Sequence, residues 1–305
     1  VHEDACLKFV DSRRIRRSRR HIHTRADPFL FANAEHLYLF FEVEKVGGRG
    51  YISALRTRDL VSYEDCGIIL QRTDHVSYPQ VLRTAEGIFM VPESKDAGEV
   101  ALYGFKPFPR GAYRRKRLVA GHYADPTLVE QDGRWWLFAT GEDGLHLFSS
   151  ANLLKDDFRP HPLNPVCTDA RIARCAGNFL RHEGALYRPA QNSEVGDGSN
   201  VRMVRVLELT AERYREEEPG PSFFTTDRWW QRRGGHHVSH ATFGGTQLVA
   251  LDGRHSDTLL NTLLVNPLWR AASAIRRLAG NPLRGGTKQG PEAVAEWNPA
   301  AHPSL

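Results

Sequence analysis

With 305 residues, 41% hydrophobic and 25% charged, the chain has the composition of a folded protein with a sizeable core, which excludes global disorder and collagen-like repetition. Its length suits one large domain or two ordinary ones, and no apolar run reaches the ~18–20 residues that span a bilayer, so no transmembrane segment is expected. The net charge of +5 sits largely in Arg13-Arg14-Ile15-Arg16-Arg17-Ser18-Arg19-Arg20, which reads as a solvated arm rather than a nucleic-acid contact.

Beyond this arm the chain is organised by a tandem repeat. Ala26-Asp27-Pro28-Phe29-Leu30 aligns with Tyr78-Pro79-Gln80-Val81 and with Ala124-Asp125-Pro126-Thr127-Leu128. Two further copies are Ala176-Gly177-Asn178-Phe179-Leu180 and Ser239-His240-Ala241-Thr242-Phe243. The markers Asp27, Tyr78, Asp125, Gly177 and His240 recur at steps of roughly 47 to 63 residues. Each is followed by a Gly-, Asn- or Asp-containing turn and a second apolar strand, such as Leu37-Tyr38-Leu39-Phe40-Phe41 or Trp135-Trp136-Leu137-Phe138, which is a hairpin signal. A third strand, a leucine-containing turn and an aromatic opening a fourth strand come next.

Four strands per unit is the make-up of a propeller blade. The expected fold class is therefore all-β: a five-bladed β-propeller over residues 1–265, with blades starting near 25, 76, 123, 175 and 236. The fifth unit is short of a strand, which Cys6-Leu7-Lys8-Phe9-Val10 can supply from the N-terminus, removing an exposed edge. Residues 266–305 are expected to form a short helix and then a disordered tail rich in Gly, Pro and Ala.

Four scattered cysteines without a CxxC make no disulfide framework and point to a reducing cytoplasm, with Cys167–Cys175 as a candidate local bridge. The N-terminus carries no signal-peptide core. The chain opens on Val1 rather than Met, so a trimmed chain is expected, with a leader or partner domain left open.

In a propeller the innermost strands line the axis. The marker positions then form one ring, and the ends of the second strands form another: Glu42, Glu93, Thr140, Gln191 and Asp252. Converging carboxylates suit glycosidic chemistry, in which one protonated acid assists the leaving oxygen while an ionised partner activates water or attacks carbon. Crowded acids also raise one another's pKa. Beside this stands a structural reading, in which Asp-Pro is an ordinary strand opener and Glu42, followed by Glu44 and Lys45, is a solvated strand end. Arg174 and Arg188 offer forked donors for a ligand or for an ion pair with Asp125 or Glu93. In His236-His237-Val238-Ser239-His240 only His236 and His240 share a strand face, and no third ligand completes a metal set, so no metal is expected.

Together, Arg25-Ala26-Asp27-Pro28-Phe29, Ser77-Tyr78-Pro79-Gln80-Val81, Met90-Val91-Pro92-Glu93 and Tyr123-Ala124-Asp125-Pro126-Thr127 resemble the family 43-like five-bladed propeller. That propeller is the N-terminal domain of plant glucosamine inositolphosphorylceramide transferases and occurs in bacterial relatives. The segment Ala173-Arg174-Cys175-Ala176-Gly177-Asn178 and the run Leu186-Tyr187-Arg188-Pro189-Ala190-Gln191 extend the likeness, which covers about residues 25–255. The chain is more distantly similar to glycoside hydrolase families 43 and 32. That resemblance implies a first-blade base or nucleophile at Asp27 and a third-blade orienting aspartate at Asp125. The fourth-blade acid of family 43 is missing, since Arg174-Cys175-Ala176-Gly177-Asn178 stands in its place, and Glu93 is the candidate substitute.

The functional expectation is a carbohydrate-active propeller, hydrolase or transferase-associated, with Asp27, Asp125 and Glu93 as catalytic candidates. Tyr78, Arg174, Arg188, Gln191, His240 and Asn178 are candidate substrate contacts. No cofactor is expected, and the partners are a carbohydrate or glycoconjugate and a transferase domain. The alternative is a noncatalytic glycan-binding propeller.

Overall fold

Three of the repeat markers turn the backbone the wrong way for a regular strand: Asp27, Tyr78 and Asp125 take φ values of 54°, 47° and 48°, and a proline follows each. Left-handed φ is uncommon for residues with a side chain, most of all a bulky one such as Tyr78, and costs of order 1–3 kcal/mol. Each lies where strand pairing slips by a residue, so the marker and its proline form a β-bulge. Proline has no N–H to lose from the ladder, so the bulge is where it fits. The dipeptide repeat seen in the sequence is thus a repeated kink.

The computed structural model describes residues 22–45, 49–194, 200–217, 234–253 and 294–296. The first blade is β1 (Ile22–Ala32), β2 (Leu37–Lys45), β3 (Tyr51–Thr57) and β4 (Glu64–Leu70). The second is β5 (Ser77–Thr84), β6 (Gly87–Glu93), β7 (Glu99–Gly104) and β8 (Tyr113–Ala120). The third is β9 (Ala124–Gln131), β10 (Arg134–Thr140), β11 (Leu145–Ser150) and β12 (Arg159–Pro160). In the fourth the inner position is split between β13 (Arg174–Cys175) and β14 (Leu180–His182), both pairing with β15 (Ala185–Asn192). Then come β16 (Asn200–Leu209) and β17 (Tyr214–Glu216). Neighbours within each blade are antiparallel.

The chain is therefore all-β among the described residues, a β-propeller arrangement of four blades rather than the five expected. After the fourth blade comes a three-stranded sheet of β18 (Val238–Phe243), β19 (Thr246–Leu251) and β20 (Val294–Glu296). It lies between the fourth blade and the first: Val238 N–H donates to Ala176 O at 2.7 Å, and Leu30 N–H donates to Ser239 Oγ at 3.0 Å. β20 falls inside the stretch expected to be a disordered tail, where it pairs with the free side of β19. The expected helix over 266–280 and the closing strand Cys6-Leu7-Lys8-Phe9-Val10 lie outside the described residues. Cys167 and Cys175, the candidate bridge, are both free thiols.

The core sits between blades, as facing sheets require. Phe89, Val91, Leu102, Leu128 and Leu137 fill the space between blades two and three. Leu30, Leu37, Leu248 and Ala250 join the first blade to β19, while Ala176, Val201, Val238 and Val249 join the fourth blade to β18 and β19. Inner strands present an unpaired edge to the axis, whose backbone groups need other partners. Side-chain amides supply them. Gln80 donates to Leu128 O at 2.9 Å and accepts Leu128 N–H at 2.7 Å. Asn178 does the same to His240, at 3.2 and 3.1 Å.

Candidate axial carboxylate site

The bulges and second-strand ends bring acids of separate blades to one place. Asp27 is buried, its Oδ2 accepting Tyr78 N–H from the next blade at 3.1 Å. Glu93 Oε2 accepts Asp125 N–H from the blade after that, at 2.8 Å. Asp125 Oδ2 in turn accepts Arg174 Nε–H at 2.5 Å and Gln191 Nε2–H at 2.8 Å, both from blade four. The ring of acids is therefore also a set of inter-blade ties.

The acids do not share one protonation state. Burial pushes the Asp27 pKa up, but the hydrogen bond and charge of His236, the charge of His237 and the Tyr78 N–H outweigh it, and the value falls to about 2. Burial also dominates at Glu93, where it is reinforced by Asp125 and Asp27 against the Asp125 N–H and Arg174, and the pKa rises to about 8. Glu42 rises to about 8 as well, through burial first and then the charges of Asp27, Glu44 and Glu93. Near neutral pH the axis thus holds an ionised aspartate beside glutamates that keep their protons.

Behind Asp27 lies a buried ion triad. His236 Nε2 is 3.1 Å from Asp27 Oδ1 and its Nδ1 is 2.6 Å from Asp252 Oδ2. Burial disfavours charge on His236, yet the carboxylates on either side hold its pKa well above the ordinary histidine value. Asp252 Oδ1 also accepts the backbone N–H groups of His236 and His237, at 2.8 and 3.0 Å. Burial alone would raise the Asp252 pKa, but His236 holds it below the usual carboxylate value. Asp27, His236 and Asp252 are the one set of potential metal-donor side chains within 4.8 Å of one another among the described residues. The two aspartates complete around His236 a donor set that the sequence spacing did not show, and with His236 protonated the same three side chains form an ion triad. At His237 burial outweighs the nearby carboxylates and lowers the pKa, and the ring packs edge-on against Phe29 and Tyr78 at 4.4 and 5.2 Å.

Asp27, Asp125, Glu93 and Gln191 thus come together as the two rings implied, and Arg174 forms the ion pair with Asp125 that was one of its two expected roles. The remaining candidates are placed otherwise. Tyr78 is fully buried, and its hydroxyl accepts Gly177 N–H at 2.6 Å and meets Thr127 Oγ1 at 2.9 Å, so it ties three blades together instead of facing a ligand. Arg188 of β15, also fully buried, forms a two-pronged pair at 2.6 and 2.8 Å with Glu216 of β17, the outermost strand of the same blade. Asn178 is the amide tie to His240. His240 lies off the axis, in a groove of about 310 Å³ lined by Phe179, Arg181, His182, Thr242 and Gln247. Its Nε2 faces Phe179 O at 3.0 Å, and burial lowers its pKa.

The repeat alignment sets His240 out of place. In the fifth unit the strand runs without a bulge, pairing Val238 with Leu251 through Phe243 with Thr246, and no proline marks a kink. Counting inward from Asp252, as from Glu42 in the first blade, puts His236 and His237 at the axis. That count from the second-strand carboxylate is the signal the sequence offers. Glu42, read as a solvated strand end, is buried opposite Ala26, beside Asp27.

Residues 16–253 match the family model described as glucosamine inositolphosphorylceramide transferase 1, N-terminal. The chain is 34% identical over 202 residues to glucosamine inositolphosphorylceramide transferase 1 of Oryza sativa subsp. indica, and 32% identical over 205 residues to that of Arabidopsis thaliana. Each match takes in 63% of this chain and only 27% of the plant protein. Among solved structures, the fold is similar to the catalytic domain of a Coprinopsis cinerea family 62 α-L-arabinofuranosidase, with TM-score 0.60 and 17% identity over 83% of this chain and 89% of that one. It is also similar to an α-L-arabinofuranosidase of Clostridium thermocellum, with TM-score 0.55 and 12% identity over 80% and 86%. At these identities the structural likeness speaks for the fold alone. The chain belongs to the family of glucosamine inositolphosphorylceramide transferase N-terminal domains.

Proposed function

We propose that the axial carboxylate site receives the sugar of a glycoconjugate and acts on it through Asp27, Asp125 and Glu93. One observation carries this reading: ionised Asp27 and protonated Glu93, with pKa values displaced in opposite directions to about 2 and about 8, share one electrostatic neighbourhood. Opposed displacement of neighbouring carboxyls is what acid–base cleavage or transfer at an anomeric carbon requires. Asp27 supplies negative charge to the developing oxocarbenium centre, Asp125 orients the site through Arg174 and Gln191, and a protonated glutamate serves the leaving oxygen. The name of the plant relatives makes glucosamine and inositolphosphorylceramide the first sugar and acceptor to test. In this reading the sheet of β18, β19 and β20 stands as a fifth blade, and a transferase region is the partner.

A second reading has its own support. Asp27 and Asp125 each engage a carboxylate oxygen in an inter-blade bond, which suits a noncatalytic glycan receptor. Asp27→Asn and Glu93→Gln, assayed separately for turnover and for glycan binding by calorimetry, separate the two. Catalysis predicts lost turnover with binding retained; a wild type that binds glycan and never turns it over overthrows it.

A further inference from the structure

A second protonated glutamate stands at the axis, and its surroundings are better suited to giving up a proton than those of Glu93. Glu42 ends β2, directly opposite Ala26, so one hairpin delivers Glu42 and Asp27 side by side. Glu93 has one oxygen fastened to the Asp125 N–H and an arginine nearby. Glu42 has neither. Its Oε1 meets His75 Nε2 at 3.2 Å, and among the described residues Oε2 has no hydrogen-bond partner.

The histidine is itself held. Gly50 N–H donates to His75 Nδ1 at 3.0 Å, which assigns the lone pair to Nδ1 and the proton to Nε2, facing Glu42. The loop is shaped around the pair: a Cβ on Gly50 would lie 2.4 Å from Glu42 Oε1 and 2.7 Å from His75 Cε1. Val76 N–H closes the turn onto Gly50 O at 3.3 Å. The titratable groups around Glu42 are Asp27, Glu44, Glu93, His75 and His236. Asp27 and Glu44, and Glu93 where it is ionised, favour a proton on Glu42.

We propose that Glu42 is the proton donor of the axial site and that His75 is the positioning residue that leaves Oε2 to carry the proton. The proposal rests on the catalytic reading above. As the C1–O bond of the glycoside breaks, its electron pair goes to the leaving oxygen, which takes the Glu42 Oε2 proton. The incoming water or hydroxyl bonds to C1 and gives its own proton to Asp27. Glu42 is left as a carboxylate that accepts His75 Nε2–H, and exchange with solvent restores both acids.

The test uses the full chain and paired aryl glycosides, phenyl and 2,4-dinitrophenyl, of glucosamine and of arabinofuranose. A dinitrophenolate leaves without a proton, whereas phenolate needs one. Glu42→Gln should lower the phenyl rate by about 100-fold or more, and far more than the dinitrophenyl rate, the range a lost general acid produces. Glu93→Gln should lower both rates alike. His75→Ala should show a milder form of the Glu42 split, partly rescued in His75→Gln, and should shift the ¹³C carboxyl titration of Glu42. A leaving-group split in Glu93→Gln but not in Glu42→Gln overturns the proposal and leaves the catalytic reading standing. No turnover of any glycoside by the wild type overturns both.

Discussion

Glu93 of the second blade accepts the backbone N–H of Asp125 of the third at 2.8 Å, and so joins the chemistry of the axis to the assembly of the propeller. Asp27 and Tyr78 repeat the relationship one blade earlier, at 3.1 Å. Acids placed in this way have two effects when altered, and the substitutions must be chosen to separate them.

At position 93, Gln keeps an oxygen that can accept the Asp125 N–H, whereas Ala leaves that donor without a partner. Glu93→Ala is expected to lose about 1–3 kcal/mol of stability, and Glu93→Gln much less. Urea unfolding monitored by tryptophan fluorescence checks this, and equal losses would remove the inter-blade role.

The Tyr78 hydroxyl joins blades two, three and four through Thr127 and Gly177, 49 and 99 residues away in sequence. Tyr78→Phe preserves the buried ring and removes only the oxygen, stranding Gly177 N–H. A loss of about 1–3 kcal/mol is expected, with glycan binding by the folded variant unchanged. Binding that disappears while the fold persists would return Tyr78 to the ligand-contacting set.

Arg188 and Glu216 are buried together, with Tyr214 also bonded to Glu216. Removing one member leaves an uncompensated charge, so Arg188→Met should cost about 3–5 kcal/mol. Adding Glu216→Gln to Arg188→Met should recover part of that loss. A single variant as stable as the wild type would contradict the pairing.

Stability should fall between about pH 4.5 and pH 8 through Glu42 and Glu93, whose ordinary values of 4.5 are raised to about 8 in the fold. The folded protein binds more protons than the unfolded chain across that window. Their contribution is therefore complete below pH 4.5 and is lost as pH rises through 8. His236, its pKa raised in the fold, acts in the same direction. Asp27 acts oppositely, its contribution disappearing as pH falls from 3.8 towards 2. Besides one another, the glutamates face Asp27, Glu44, Asp125, Arg174, His75 and His236. Thermal midpoints across pH 4–9 should decline for the wild type and flatten in the Glu42→Gln, Glu93→Gln double variant; a flat wild-type curve would contradict the raised values.

What could be read from the chain alone was what is local. Asp27-Pro28, Tyr78-Pro79 and Asp125-Pro126 mark the repeat because a recurring proline is visible in the sequence, and the structure shows each to be a bulge. Hairpin turns and aromatic strands likewise need no distant partner to be recognised. Those signals carried the all-β repeat and placed Asp27, Glu93, Asp125 and Gln191 at the axis.

Tertiary structure decided how each polar group is used, because burial and pairing depend on neighbours distant in sequence, 28 residues for Arg188 and Glu216 and 99 for Tyr78 and Gly177. Glu42 and Arg188 have side chains that suit water as well as a buried pair, and only the packed blades exclude water from them. The fifth unit went out of register for a related reason: without a bulge or a proline its strand has no local landmark. Only Asp252, closing around His236, shows which histidines reach the axis.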